Sequence, residues 1–251
     1  MIKTKRVFIF AHCDDELFCL PLLLDNQVES TVIFLTTLKQ EQRTDSEVNI
    51  RQQEALRANR FLSKFGNIKT LFLSGAIFDG TIHADFDSGK FDELTQIVLD
   101  EEPSEIVTLS YEAGHQDHDS VELITRILSK NHSMKLRCFS GYRASAISPR
   151  LFSVLKPIDP IEKVPFNRLL SVLASIRLML IYKSQSKAWI GLAPVLLWKY
   201  AFSSFREDRS LSSLDPEEKI HCFYQNRGRA LQSEVLLAHQ KFVRDLVSPE
   251  K

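Results

Sequence analysis

The sequence predicts an α/β fold: a mostly parallel sheet covered by helices on both faces, followed by a helical C-terminal extension. Three observations carry this. Short runs rich in Val, Ile, Leu and Phe alternate with helical patterns through roughly the first 140 residues. These runs are apolar on both sides, as strands buried on both faces are. The alternation then stops near Arg150, where prolines and long apolar segments take over. Residues 1–150 are therefore expected to form the core. Residues 151–251 are expected to form an extension packing on the same domain.

Element by element, Arg6 to Ala11, Ser30 to Thr37, Lys69 to Leu73, Glu105 to Leu109 and Lys135 to Phe139 read as strands. Between them, Asp15 to Leu24, Asp45 to Lys64, Lys90 to Asp100 and Ser120 to Lys130 read as helices; the last carries Val121, Leu123, Ile124 and Leu128 at core spacing. Crossovers joining such strands are right-handed. Pro157, Pro160 and Pro165 punctuate a connection. Phe166 to Tyr182 is then apolar nearly all round, apart from a strip made by Arg168, Ser171 and Ser175, and reads as a mostly buried helix with one narrow polar face. A second apolar piece, Trp189 to Phe205, precedes a polar turn region from Arg206 to Lys219 and a last helix from about Gln232 to Val247.

Composition excludes several classes. The chain has 251 residues, 44% of them hydrophobic, enough to bury a core and incompatible with disorder as the main state. Its 32 basic residues cancel 32 acidic ones, so bulk charge does not drive nucleic-acid binding. Four scattered cysteines are too few for a disulfide framework and are expected as free thiols. The basic and then apolar N-terminus is interrupted at once by Asp14, Asp15 and Glu16, which a secretory signal does not tolerate. The longest uncharged stretch, Ala188 to Trp198, has eleven residues, against roughly 20 needed to cross a bilayer. The expected location is the cytoplasm, with membrane association as a second expectation taken up below.

Ligands of open parallel sheets bind beyond the carboxyl ends of the strands. Two polar clusters fall there: His12-Cys13-Asp14-Asp15-Glu16 after the first strand, and Gly114-His115-Gln116-Asp117-His118-Asp119 after the fourth. Either alone reads as a helix cap with first-turn charges, or as a surface loop. Two at strand ends of one sheet point to a metal site, because His nitrogens and Asp oxygens suit zinc with one position open for water. His12, Asp15 and a His of the second cluster would make the set. A nearby carboxylate can take a proton from the water, and an imidazole can stabilise an oxyanion or protonate a leaving amine.

Ala11-His12-Cys13-Asp14-Asp15-Glu16 resembles the A-H-P-D-D-E signature of the PIG-L/LmbE-like zinc deacetylases, and Gly114-His115-Gln116-Asp117-His118 resembles that family's G-H-P-D-H motif. Arg51-Gln52-Gln53-Glu54 with Ala58 looks like its R-x-x-E-x-x-x-A helix, and Tyr182-Lys183-Ser184-Gln185 like a less specific Y-x-S-Q pattern. The resemblance covers about residues 5 to 140 well. It implies a Rossmann-like fold and removal of acetyl groups from N-acetylglucosamine-type conjugates. It further implies that His12, Asp15 and His118 bind zinc and that Asp14 is the general base. His115 would stabilise the tetrahedral intermediate and help the amine leave, with Asp117 holding its ring and favouring the imidazolium. Another divalent metal is an alternative to zinc.

The sequence departs from the family at Cys13 and Gln116, where proline is usual. Proline fixes φ, so both turns are expected to be looser. Cys13 reads as a spectator thiol rather than a ligand, since adjacent side chains rarely converge on one ion. Were it exposed, it would be sensitive to oxidation. Arg51 reads either as a contact to a substrate hydroxyl or phosphate, or as part of a helix-surface set with Glu47 and Glu54. Asp79-Gly80 is most simply a tight turn, although the comparable family loop often borders the sugar; Arg51 and Asp79 are the candidate substrate contacts.

From Lys163 to Arg206 there are seven cations and no Asp or Glu, with Tyr182, Trp189, Trp198 and Tyr200 among them. That composition fits contact with anionic headgroups or a phosphate- or lipid-linked substrate. It equally fits core helices whose cations snorkel outward. The expected function is zinc-dependent N-deacetylation of an amino-sugar conjugate. The alternatives are an amidase for a larger N-acyl group and a non-catalytic sugar-binding protein on the same scaffold. A nucleotide-binding domain is disfavoured, because no G-x-G-x-x-G turn follows the first strand.

Overall fold

All five apolar runs read from the sequence become strands of one sheet. The computed structural model describes residues 4–36, 38–39, 45–74, 77–144, 152–209, 222–226 and 230–247. In chain order the first half comprises β1 (Thr4–Phe10), α1 (Leu20–Leu23), β2 (Val28–Phe34), β3 (Leu38–Lys39), α2 (Asp45–Leu62), β4 (Asn67–Phe72), β5 (Phe78–Asp79), α3 (Ile82–Asp85) and α4 (Ser88–Asp100). There follow β6 (Glu105–Leu109), α5 (Gln116–Asn131), β7 (Lys135–Phe139), β8 (Tyr142–Ala144), β9 (Phe152–Val154) and β10 (Pro160–Val164). The chain continues through α6 (Arg168–Ile181), α7 (Ser186–Phe202), β11 (Phe205–Asp208), α8 (Phe223–Asn226) and α9 (Gln232–Val247).

The main sheet has the order β10-β11-β7-β6-β1-β2-β4. β1 pairs in parallel with both β2 and β6, and β4 and β7 extend the parallel part on either side. Strand order therefore reverses at β1 and β6, and the crevice for a ligand opens beyond their carboxyl ends. Side chains of β1 alternate between two cores. Phe8 and Phe10 join Val32, Phe34, Ala55 and Ala58 with the inner sides of α6 and α7. Val7 and Ile9 join Ile33, Leu94, Val121 and Ile124 under α4, α5 and α9. This two-sided burial is why the strands read as continuous apolar runs.

The structure adds β10 and β11, both antiparallel, where a proline-rich connection and the start of a polar turn region were expected. The apolar piece from Trp189 to Phe205 falls mostly in α7, which runs from Ser186 to Phe202, and β11 begins at Phe205. Charged residues disguised β11. Glu207 accepts from Arg137 Nε at 2.7 Å, Arg137 reaches Glu105 at 3.5 Å, and Glu105 accepts from Arg6 Nε. This buried ion chain crosses β11, β7, β6 and β1, and its members satisfy one another away from water. Asp15 to Leu24 likewise divides into a 3-10 turn (Asp15–Phe18) and α1. Thr37, the side chain of Glu47, Arg150 and residues 210–219 lie outside the described residues.

α6 also departs from its reading. Ser171 and Ser175 of the supposed polar strip are buried, at 1% and 0%, and Leu169, Leu173, Ile176 and Leu180 face out. Small serines let the helix approach the core, and Ser175 Oγ is satisfied by donating to the Ser171 carbonyl at 2.7 Å.

Candidate metal and catalytic site

The two histidine- and aspartate-rich motifs meet beyond the ends of β1 and β6. His12 follows β1 directly, and its backbone N–H donates to Asp15 Oδ2 at 2.8 Å. That bond closes a turn in which Asp14 takes φ 133°. A non-glycine residue in that region is strained and needs support. Support comes from Glu16, whose Oε2 accepts the Asp14 N–H at 3.0 Å and whose Oε1 accepts the Tyr182 hydroxyl. Burial lifts the Glu16 carboxyl to about 7, against the pull of that hydroxyl.

The second motif is the start of a helix rather than a free turn. α5 begins at Gln116, and His115 is its N-cap, with Nδ1 accepting the Asp117 N–H at 3.2 Å. Asp117 and Asp119 lie in the first turn, where the helix dipole favours acids. Asp119 accepts the N–H groups of Glu112 and Ala113, both at 3.2 Å, which holds Ala113 at φ 52°. Gly114 is required by contact: a Cβ there would lie 1.9 Å from the Tyr142 carbonyl oxygen.

Potential ligand atoms of His12, Asp15 and His118 all lie within 4.8 Å of one another, and all three residues are buried. His118 Nε2 is 3.0 Å from Asp15 Oδ1, and His12 Nδ1 is 3.6 Å from Asp15 Oδ2. Two imidazoles and one carboxylate fit a divalent first-row ion such as zinc. Burial by itself raises the Asp15 carboxyl, but His118 and His12 hold it well below the usual carboxylate range. A second group shares His12 and adds Asp79, His115 and Asp117 within the same limit. Its shorter contacts run from His12 Nε2 to Asp117 Oδ2, 3.0 Å, and to Asp79 Oδ1, 3.3 Å.

Asp14 is half-buried and lines the pocket above these ligands. Burial and the adjacent Asp15 push its carboxyl well above the ordinary range. Burial and the neighbouring His12 ring push His115 down to about 3, so this ring is neutral near pH 7. Because Nδ1 accepts a backbone N–H, its proton is assigned to Nε2. The Asp117 carboxylate lies 4.0 Å from His115 Nδ1 and is occupied instead by His12 and the N–H groups of Gly80 and Ile82. It braces His12 more closely than His115, and the expected imidazolium at His115 differs from this arrangement.

Arg51 is buried and reaches Asp79 at 3.4 Å, rather than lying on the surface of α2. Gln116 donates to the Gly80 carbonyl at 3.2 Å, tying the second motif to the Asp79 turn where a proline could not. Cys13 is buried in the apolar core, and burial followed by Glu16 raises its thiol, so it lacks the exposure that oxidation needs.

Against this geometry, the family model described as PIG-L: GlcNAc-PI de-N-acetylase matches residues 7–128. That match spans just under half of the chain. Among curated proteins none matches in sequence. Solved structures similar to this chain include a pseudoaglycone deacetylase described for an antimicrobial reagent: TM-score 0.60, 14% identity, 82% of this chain and 96% of the other. The zinc-inhibited form of a teicoplanin deacetylase aligns with TM-score 0.58, 12% identity, and 81% and 96% coverage. N,N'-diacetylchitobiose deacetylase from Pyrococcus horikoshii aligns with TM-score 0.56, 16% identity, and 81% coverage of both chains. At these identities the likeness is one of fold.

The pocket over these residues has a volume of about 370 Å³. Gln185 of the Y-x-S-Q pattern and Trp189 line it, and so do Phe18, Tyr142 and Leu192, which the sequence did not single out. Ser184, another lining residue, is held by Glu54 of α2, which accepts its N–H at 3.1 Å and its hydroxyl at 2.5 Å. Periodicity alone does not reveal this tie, and the paired R-x-x-E and Y-x-S-Q patterns were its only trace.

Proposed function

We propose that the protein is a metal-dependent N-deacetylase hydrolysing the acetamide of an N-acetylglucosamine-type sugar conjugate. The observation that carries this reading is the convergence of His12, Asp15 and His118 beneath Asp14 in a pocket at the sheet's switch point. These three residues would hold the ion, zinc by donor chemistry. When bound, the ion supplies Lewis acidity and an acidified water. Asp14, with its carboxyl raised by burial and Asp15, takes the proton of the attacking water and returns it to the departing amine. His115 donates from Nε2 to the developing oxyanion as a neutral imidazole. Asp117 fixes His12, while Arg51 and Asp79 meet the sugar. Products are acetate and the free amine.

The names of similar structures support an N-acetylated sugar substrate: a diacetylated chitobiose in one, and a pseudoaglycone and teicoplanin, sugar conjugates with a sizeable aglycone, in two others. Lys187, Ala188, Trp189 and Leu192 give one pocket wall a cationic and apolar character, which supports a phosphate- or lipid-bearing aglycone. No described helix is long and apolar enough to cross a membrane. A cytoplasmic site of action belongs to this reading.

The test is a panel of free, phosphorylated, inositol-linked and lipid-linked N-acetylglucosaminides, scored by acetate and new amine. Asp14→Asn is expected to retain metal and lose activity by roughly a hundredfold or more. Asp15→Ala and His118→Ala are expected to lose the metal itself. An Asp14→Asn protein as active as the parent removes the proposed base, and release from no member of the panel removes the deacetylase reading.

A further inference from the structure

α6 and α7 form a helical hairpin whose outer face is inverted relative to an ordinary surface helix. On α6 the outward residues Leu169, Leu173 and Leu180 follow one another at helical spacing, and on α7 Ile190, Trp198 and Phe202 do the same. The inward sides hold Ser171, Ala174, Ser175 and Leu178 on α6, and Trp189, Leu192, Leu196 and Tyr200 on α7. Each outward stripe is therefore diametrically opposite the side that packs on the core. Exposure is high, 69% at Leu169 and 78% at Ile190. The rings of Trp198 and Phe202 touch on the open surface, with centroids 4.4 Å apart and planes tilted by 43°. Contiguous apolar surface of this kind marks a binding site.

Charge decides the occupant. Arg177, Lys183 and Lys187 are exposed and Lys199 half-buried, and between Lys163 and Arg206 there is no acid. Among the described residues none of these four cations is ion-paired to an acid. In a symmetric dimer through this face, the cations of one copy would oppose those of the other. An anionic lipid surface instead accepts both the leucine and tryptophan side chains and the cations around them.

We propose that the outer face of the α6–α7 hairpin docks on an anionic lipid surface. The pocket shares this element: Ser184 and Gln185 at the hairpin tip and Lys187 and Ala188 on α7 line it, while Ile190 two residues on faces out. Docking thus holds the pocket mouth beside the headgroup layer. Only this last consequence, delivery of a membrane-borne conjugate, rests on the deacetylase reading.

The test is flotation of the whole protein with vesicles of phosphatidylcholine alone, or of phosphatidylcholine with one third phosphatidylglycerol. Strong binding is expected only to the second. It is expected to fall about tenfold or more for Leu173→Glu, Ile190→Glu or Trp198→Glu, and for Arg177→Glu combined with Lys199→Glu. All these positions lie outside the pocket, and each variant is expected to keep the parent's circular dichroism and acetate release from a soluble substrate. Absence of binding to either vesicle overturns the proposal. So does equal binding by parent and variants, or a concentration-dependent dimer that the glutamate variants dissolve. Vesicle binding without acetate release would overturn the deacetylase reading alone, and acetate release without vesicle binding would overturn docking alone.

Discussion

At Gly114 the backbone passes so close to Tyr142 that one methyl group decides whether the motif can form. A Cβ would meet the Tyr142 carbonyl oxygen at 1.9 Å and its carbon at 3.0 Å, both backbone atoms with little freedom to yield. Gly114→Ala is expected to cost roughly 1–3 kcal/mol, lowering the melting temperature by about 2–4 °C for each kcal/mol in a chain of this size. Because His115 and His118 follow at once, metal affinity should fall as well; calorimetry and a metal titration check both. An unchanged melting temperature would mean that the two loops part more easily than this contact allows. At this scale the sequence was most informative where chemistry resides in the residue type. His12, Asp15 and His118 could be singled out because imidazoles and carboxylates at strand ends suit a metal. The task of Glu16 was hidden, because its partner Tyr182 is 166 residues away.

Elements were legible where burial is two-sided and illegible where polar groups satisfy one another inside the fold. β1, β2, β4, β6 and β7 appeared as apolar runs, whereas β11 carries Glu207 and Asp208 on a strand whose neighbours supply their partners. α5 was expected to begin at Ser120, yet its first turn takes in Gln116 to Asp119, since His115 caps it and the acids complement its dipole. Between α2 and the turn Lys183–Gln185, a single carboxylate makes the junction: Glu54 accepts two hydrogen bonds from Ser184 across 130 positions of sequence. Glu54→Ala removes both bonds to Ser184, which is exposed enough for water to replace them, at a cost of roughly 0.5–1.5 kcal/mol. Ser184 and Gln185 line the pocket and lie away from the proposed base, so KM is expected to rise severalfold with kcat nearly unchanged. Glu54→Gln, which retains one acceptor, should recover part of the loss. A fall in kcat alone would place Glu54 in the chemical step instead.

For the whole molecule, two buried glutamates at opposite ends of β6 give stability opposite dependences on pH. Glu105 lies in the ion chain joining four strands; burial opposes its charge, but Arg6 and Arg137 hold its carboxyl below the ordinary range. Its contribution is complete above the unfolded value and is lost as pH falls through the folded one. Glu112, just past the strand, is buried with Ser140 and the Gly141 N–H as partners, and burial lifts it to about 8 from an ordinary 4.5. Between those two values the folded chain keeps a proton that the unfolded chain has released, so stability falls as pH rises from about 5 to 8. An amide resembles the protonated acid and does not titrate. Glu112→Gln is therefore expected to melt at nearly the parent's temperature at pH 5 and several degrees above it at pH 8, with little further divergence beyond. Thermal unfolding at three pH values measures the gap. A gap that is constant across the range would show that Glu112 ionises alike in both states, and the alkaline loss of stability would then have to come from another group.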